Sequence, residues 1–219
     1  MKSISLLLTT ALIALVTGTT LPPDLPDGVY SSHIDEHGVE HHVQLSGSSS
    51  SSGFHPLSWT HDPANTNMSS TPAPFDVSAD TLEKRNCAAD PSTAGQMYCG
   101  CPYELDHPSC DAAVADLKAQ VGNGVLITAG QAYYSIRGIS IAYACSYTQY
   151  GAPRSLVTAT QISTGLAHIT NRCGLYITGT YASKYDNNPA GFDVGYMRNY
   201  AGLSQHICDA ATNWSQNCC

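Results

Sequence analysis

The cysteines of this chain are confined to its second part. All nine lie between Cys87 and Cys219, and residues 1–86 contain none. The basic pair Lys84-Arg85 stands just before the first cysteine. Because disulfides persist in oxidising compartments and staple small secreted domains, this distribution indicates two regions with different structures. We expect the second region to function outside the cell.

The amino terminus has the layout of a secretory signal peptide. Lys2 precedes an uncharged apolar run over residues 4–16, and small residues follow at 17–20. This run is too short to cross a bilayer core of about 30 Å stably. We therefore predict a signal peptide over residues 1–20 and a secreted, extracellular protein with no stable membrane insertion.

Residues 21–85 have an unusual composition. They contain seven prolines, a serine-rich run at 46–53 and nine acidic residues against Lys84 and Arg85, a net charge of 2 − 9 = −7. Such a segment predicts disorder, because it buries too little apolar surface to offset its chain entropy. It is either a solvated linker or a pro-segment. We predict a pro-segment, since Lys84-Arg85 resembles the kexin-type processing sites of fungal secreted proproteins, and a kexin-type protease is an expected partner.

The remaining region, residues 86–219, has 219 − 85 = 134 residues, enough for one domain with its own core. Its six basic and eight acidic residues give a net charge of 6 − 8 = −2. A nucleic-acid-binding protein normally carries a basic patch, because phosphate contacts dominate its affinity. The sequence of this region has no such patch, so we expect no nucleic-acid partner.

Periodic patterns in this region predict two helices and several strands. One helix is predicted to begin at Ser109 and end at Gly122, and a second spans about 155–170. Alternation over 132–147 and in two later runs, 175–181 and 192–197, predicts strands. This order favours an α+β fold, an α/β sandwich in which two helices pack on one face of a largely antiparallel sheet.

The nine cysteines predict a disulfide framework of up to four bridges with one thiol left over. Its connectivity stays open, although Cys110, Cys145 and Cys173 lie on inward-facing positions and are each expected to be bridged. A zinc site formed by Cys99, Cys101, Cys110 and His107 is the alternative, but this spacing matches no tetrahedral zinc signature, so we predict no metal and no cofactor. The disulfide candidates are Cys87, Cys99, Cys101, Cys110, Cys145, Cys173, Cys208, Cys218 and Cys219.

Few residues suggest catalysis. Glu104 and Asp106 could form a carboxylate pair of the kind that glycosidases use, and His107, His168 and His206 are possible general bases. No G-x-S-x-G motif is present. The alternative is a solvated carboxylate pair and structural histidines, and we therefore predict no catalytic residue. Two N-x-S sequons, at Asn67 and Asn213, predict glycosylation.

The stretch YASKYDNNPAGFDV, residues 181–194, resembles the base-binding segment of the fungal guanyl-specific ribonucleases. The matching residues are Tyr181, Lys184, Tyr185, Asn187, Gly191 and Phe192. Ser183 stands where that family has a catalytic histidine, and no glutamate follows in the remaining 219 − 194 = 25 residues. The resemblance implies a small secreted ribonuclease as an alternative function. A small secreted enzyme that acts on cell walls is kept with it as the enzymatic alternative.

The order SCDAAVADL, ISIAYAC, a second helix, CGLYITGTY and VGYM resembles secreted cysteine-rich effectors of plant-associated fungi. These include the necrosis-inducing extracellular effectors and the killer-toxin-like proteins. The resemblance implies a compact α/β sandwich that acts without a cofactor on a host or competitor protein. We expect a virulence effector or toxin without catalysis of its own, and a recognition loop formed by Lys184, Tyr185, Asp186 and Asn187.

Overall fold

The computed structural model describes residues 19–47, 58–61, 95–128, 130–146, 154–183, 191–200 and 205–208. For Ser58–His61 and for residues 95, 96 and 101–103 it describes the backbone only. Within these ranges the chain forms twelve strands and two helices. In chain order they are β1 (Thr19–Leu21), β2 (Gly28–Ile34), β3 (Glu40–Gly47), β4 (Ser58–His61), β5 (Gly95–Glu104), α1 (His107–Val121), β6 (Val125–Thr128), β7 (Ala132–Arg137), β8 (Ser140–Ser146), β9 (Arg154–Val157), α2 (Ala159–Cys173), β10 (Ile177–Ser183), β11 (Phe192–Arg198) and β12 (Gln205–Ile207).

Eight strands form one antiparallel sheet in the order β4-β3-β2-β7-β8-β11-β10-β5. The strand pairs β1-β12 and β6-β9 form two small separate sheets. Residues of α1 and α2 share one buried cluster with residues of β8, β10 and β11, so both helices pack on the same face of the large sheet. The predicted α+β class, with two helices on a largely antiparallel sheet, is confirmed.

The helix boundaries differ from those expected. The first helix begins at His107 rather than Ser109, because the Asp106 carboxylate accepts the Ser109 N–H and caps the helix while Pro108 occupies its first turn. The second helix begins at Ala159, since Thr158 and Gln161 form a capping box. Residues 155–157, expected to be helical, belong instead to β9, which pairs with β6.

The first core lies between the helices and the sheet. Gly165 on α2 allows a close approach, because a β-carbon there would lie 3.0 Å from Tyr181 and 3.2 Å from Val194. A disulfide between Cys99 on β5 and Cys173 at the end of α2 ties this helix to the sheet. Helix and sheet are thus held by both packing and a covalent bridge, and the prediction that Cys173 is bridged is confirmed.

A second core lies on the other face of the sheet. Along β8, Ala142 and Ala144 belong to the first core, whereas Ile141, Tyr143 and Cys145 belong to the second, as the alternation of side chains in a strand requires. The amino-terminal region contributes to this second core with Leu21, Leu25 and Tyr30. Both halves of the chain therefore build one structure.

The prediction that residues 21–85 are disordered is wrong for residues 21–47 and 58–61, which form part of β1 and all of β2, β3 and β4. The prolines and serines weigh against a self-sufficient fold, but tertiary pairing overrides that local tendency. β2 lies between β3 and β7, so each side of its backbone has a hydrogen-bonding partner. Residues 62–85, which include Asn67 and Lys84-Arg85, lie outside the described residues.

The expected end of the signal peptide at residue 20 conflicts with the position of β1. Thr19 and Thr20 pair with Ile207 and His206, and Thr19 is only 3% exposed. Removal of both residues would leave one residue of this three-residue strand. Thr19 and Thr20 therefore belong to the folded domain, and residues 1–18 lie outside the described part.

The second described disulfide joins Cys145 on β8 to Cys208, directly after β12. Among the cysteines whose side chains are described, Cys110 is unpaired and buried in the first core, so the prediction that it is bridged is wrong. Cys99 and Cys173, which share this core, bond to each other instead. Cys87, Cys218 and Cys219 lie outside the described residues, and Cys101 is described in its backbone only.

The role of β2 is testable by truncation of Tyr30. This side chain is fully buried and stacks on Tyr134, with ring centroids 5.1 Å apart. Tyr30→Ala should lower the free energy of unfolding by about 3 to 5 kcal/mol, as for other buried aromatic side chains. Chemical denaturation monitors the change, and His37→Ala, at an exposed position of the same region, is the control. Equal stability of the two variants would contradict the observed role of the amino-terminal region.

The cysteine assignments predict different responses to substitution. Cys99→Ser opens a bridge between residues separated by 74 positions and should cost about 2 to 4 kcal/mol of stability. Cys110→Ala removes no bridge, so its melting temperature should still fall when reductant is added, as in the parent protein. Thermal unfolding with and without reductant measures this. If Cys110→Ala lowered the melting temperature without reductant as much as Cys99→Ser does, the assignment of Cys110 as a free thiol would be refuted.

Candidate functional site

The start of α1 carries a group of exposed titratable side chains, which includes Glu104, Asp106 and His107. The Asp106 carboxylate accepts hydrogen bonds from the backbone N–H and hydroxyl of Ser109, and these bonds hold its pKa below the usual range. Glu104 does not share this role and instead contacts His107. The two carboxylates expected to act as a pair thus have separate partners, and Asp106 is committed to the helix cap.

His107 lies between a carboxylate and an aromatic ring. Its Nε2 is 3.0 Å from Glu104 Oε1, and both side chains are more than half exposed, at 53% and 66%. On one face its ring stacks on Tyr176, with ring centroids 3.7 Å apart and an angle of 14° between the planes. We call Glu104, His107, Asp111 and Tyr176 the α1 surface cluster.

Tyr176 joins the loop after α2 to α1. Its hydroxyl donates to the Asp111 carboxylate, whose oxygens lie 3.1 and 3.2 Å away, and this hydrogen bond raises the pKa of the phenol. The residue has a φ of 58°, in the left-handed region that few non-glycine residues adopt. The stacked ring, the Asp111 bond and a backbone bond from Leu105 N–H to Tyr176 O hold it there. Such conformations persist where surrounding contacts impose them.

The α1 surface cluster offers carboxylate acceptors beside an exposed imidazole and a partly buried phenol. It could accept hydrogen bonds from a donor on another molecule, or transfer a proton through His107. The described residues contain no group of three or more metal-ligand side chains arranged for an ion. The alternative zinc site also loses Cys99, which is bonded to Cys173.

The other two candidate bases lie on different elements. His168 on α2 stacks on Tyr181, with ring centroids 5.0 Å apart. His206 on β12 contacts Thr20 through its Nδ1, which is 3.1 Å from the threonine hydroxyl. Each of these histidines therefore joins two elements of the fold.

The segment that resembles the guanyl-specific ribonucleases is described only at its ends. Tyr181 and Phe192 are buried in the first core. Ser183, at the position of that family's catalytic histidine, accepts the Phe192 N–H through its hydroxyl at 2.9 Å. The expected recognition residues 184–187 lie outside the described residues, as does the sequon Asn213.

Sequence reasoning missed a buried polar network in the amino-terminal region. His42 is fully buried, with Nδ1 2.8 Å from the Tyr134 hydroxyl and Nε2 3.7 Å from Glu40. Glu40 in turn accepts the Thr20 N–H at 2.9 Å. The network connects β3 with β7 and β1. The sequence does place Glu40, His42 and Gln44 at alternate positions, which lie on one side of a strand. Because all three are polar, this alternation did not indicate that the side is buried.

Asp193 is a second buried polar group that the sequence did not single out. It is 1% exposed, and no described residue donates a hydrogen bond to its Oδ1. Burial raises the pKa of its carboxyl well above the usual range and favours the protonated acid.

Tyr143 forms another buried polar contact, a hydrogen bond with Thr180. The Tyr143 side chain crosses β11 at Gly195, where a β-carbon would collide with the Tyr143 hydroxyl.

Within the described ranges, neither helix is long and apolar enough to span a bilayer. Comparison with known proteins finds no matching family model and no significant match among curated proteins or solved structures.

The raised pKa of Asp193 predicts a pH dependence of stability. The folded state holds this proton more tightly than the unfolded chain, whose aspartate pKa is about 3.9. Its contribution is therefore fully present below that pH and is lost as the pH rises toward the higher folded pKa. Asp193→Asn keeps an uncharged side chain, so its stability relative to the parent should improve from pH 4 to pH 7. Denaturation curves at both pH values test this, and a constant difference would refute the raised pKa.

Proposed function

We propose that this protein is a secreted effector or toxin-like protein that acts on a host or competitor protein by binding rather than by catalysis. The proposal is supported most directly by the contacts of its candidate catalytic residues. Asp106 caps a helix, His168 and His206 join separate elements, and the four side chains of the α1 surface cluster contact one another. A stable scaffold with two described disulfides suits an extracellular binding protein.

Within this proposal, recognition involves residues 184–187. They connect β10 and β11, whose adjoining ends are fixed by the pairing of Ala182 with Asp193 and by the bond from Phe192 N–H to Ser183. A connection between two fixed strands is a common place for recognition residues, because the scaffold positions it. Secretion and processing after Arg85 belong to the same proposal.

A small secreted enzyme, guanyl-ribonuclease-like or active on cell walls, is the second candidate. The contact between Glu104 and His107 favours it, since a carboxylate beside an exposed imidazole is a common acid–base arrangement. The Nδ1 atom of His107 is not used in that contact. This candidate requires a substrate to approach the α1 surface cluster.

The two candidates predict opposite results for alanine variants. Glu104→Ala, His107→Ala, His168→Ala and His206→Ala should each leave activity in infiltrated leaves largely intact, because none of them transfers a proton in the binding proposal. Lys184→Ala combined with Tyr185→Ala should reduce that activity. Gln120→Ala, at an exposed position of α1, serves as the control, and melting temperatures identify variants that fail to fold.

The same proteins should be incubated with RNA and with wall glycans, and product release measured. The assays need the chain from residue 19 onward, because the amino-terminal strands are part of the sheet. Hydrolysis by the parent that is lost in His107→Ala at an unchanged melting temperature would replace the binding proposal with the enzymatic one.

A further inference from the structure

The position of β2 has a consequence for proteolytic processing. β2 pairs with β7 over five residues, Gly28 to Ser32 opposite Ile136 to Ala132. On its other side it pairs with β3 over seven residue pairs. The amino-terminal region therefore extends the large sheet from the edge of β7, and a protease that cuts between residues 61 and 95 would leave this pairing in place.

Side-chain contacts across the same boundary are extensive. Tyr30 stacks on Tyr134, and the Tyr134 hydroxyl bonds to His42. The Gly138 N–H donates to Asp27 Oδ1 at 2.9 Å. Three residue pairs of β1 and β12 add a second, independent attachment. The two regions thus share a hydrophobic core, a polar network and two strand interfaces.

No disulfide can join the two regions after a cut at Lys84-Arg85. The first cysteine is Cys87, so the fragment that ends at Arg85 contains none. Its attachment would depend entirely on hydrogen bonds and packing. Its release would expose the edge of β7 and the Tyr134 ring, which is otherwise fully buried. An open strand edge beside an apolar surface promotes aggregation, so retention of the fragment is the favoured outcome.

We propose that cleavage after Arg85 yields a two-chain protein, in which the amino-terminal fragment remains bound as β1 to β4 of the folded molecule. The fragment that stays bound to β7 and β12 is thus a segment cut from the same chain. The pro-segment becomes a structural subunit. This inference rests on the processing step in the proposed function but does not depend on the effector's target.

The test uses the purified secreted chain treated with a kexin-type protease. A denaturing gel without reductant should show two fragments, because no disulfide joins them. Native size-exclusion chromatography should show both fragments in one peak at the size of the uncut protein. Mass spectrometry should identify one chain that begins at or near Thr19 and another that begins at Asn86. The Lys84→Ala, Arg85→Ala double variant should remain a single chain.

A variant in the interface between the two fragments tests whether they elute together because they bind through this interface. Tyr30→Ala in the cleaved protein should raise the dissociation constant of the fragment by more than about tenfold, because it removes a buried ring from the interface. His37→Ala, at an exposed position of the same fragment, should leave it unchanged. Dilution series analysed by native chromatography give both values.

Three results would overturn the inference: resistance of the folded chain to the protease, elution of the amino-terminal fragment as a separate species, and aggregation of the remainder after its loss. None of these measurements uses activity. Co-elution of the fragments with no effect in leaves would count against the proposed function alone, and fragment release from an active protein would count against the two-chain inference alone.

Discussion

The pairing of β2 with β7 is the contact on which the rest of the structure depends. It adds strands from the cysteine-free region to a sheet built by the cysteine-rich region. Tyr30 and Tyr134 face each other in this register and are both fully buried. Because side chains alternate between the faces of a strand, a shift of one residue would move Tyr30 out of the second core. Register and core packing therefore fix each other.

The described disulfides stabilise the two faces of the sheet separately. Cys99–Cys173 secures α2 on the face that carries the first core. Cys145–Cys208 secures the end of β12 at the second core, where β12 pairs with β1. A bridge within the cysteine-rich region thus holds part of the surface on which the cysteine-free region packs. This arrangement explains how a region without sulfur can belong to a disulfide-stapled fold.

Buried polar groups are common in this molecule, and they occupy positions between elements. The His42 network connects three strands, and the Tyr143–Thr180 contact spans β11 because Gly195 leaves room for the ring. Burial of hydrogen-bonded polar groups favours one arrangement over others, since an unpaired group is costly in the interior. The buried titratable residues His42 and Glu40 thus serve to connect strands.

The sequence by itself determined the α+β class, the bridged state of Cys145 and Cys173 and the apolar faces of β8 and β11, because local periodicity shows which residues face inward. It also singled out Glu104 and His107, but not the stacking of His107 on Tyr176, whose position depends on the loop after α2. Only the tertiary structure showed that residues 19–47 are ordered as strands of the fold. Their prolines, serines and acidic residues favour disorder locally, and only pairing with a distant strand supplies the hydrogen bonds and the buried surface that order them. The same reason explains why Cys110 stays a thiol. The helical pattern predicts that Cys110 faces inward, but the partner of a cysteine depends on which segments of the chain meet in the folded structure.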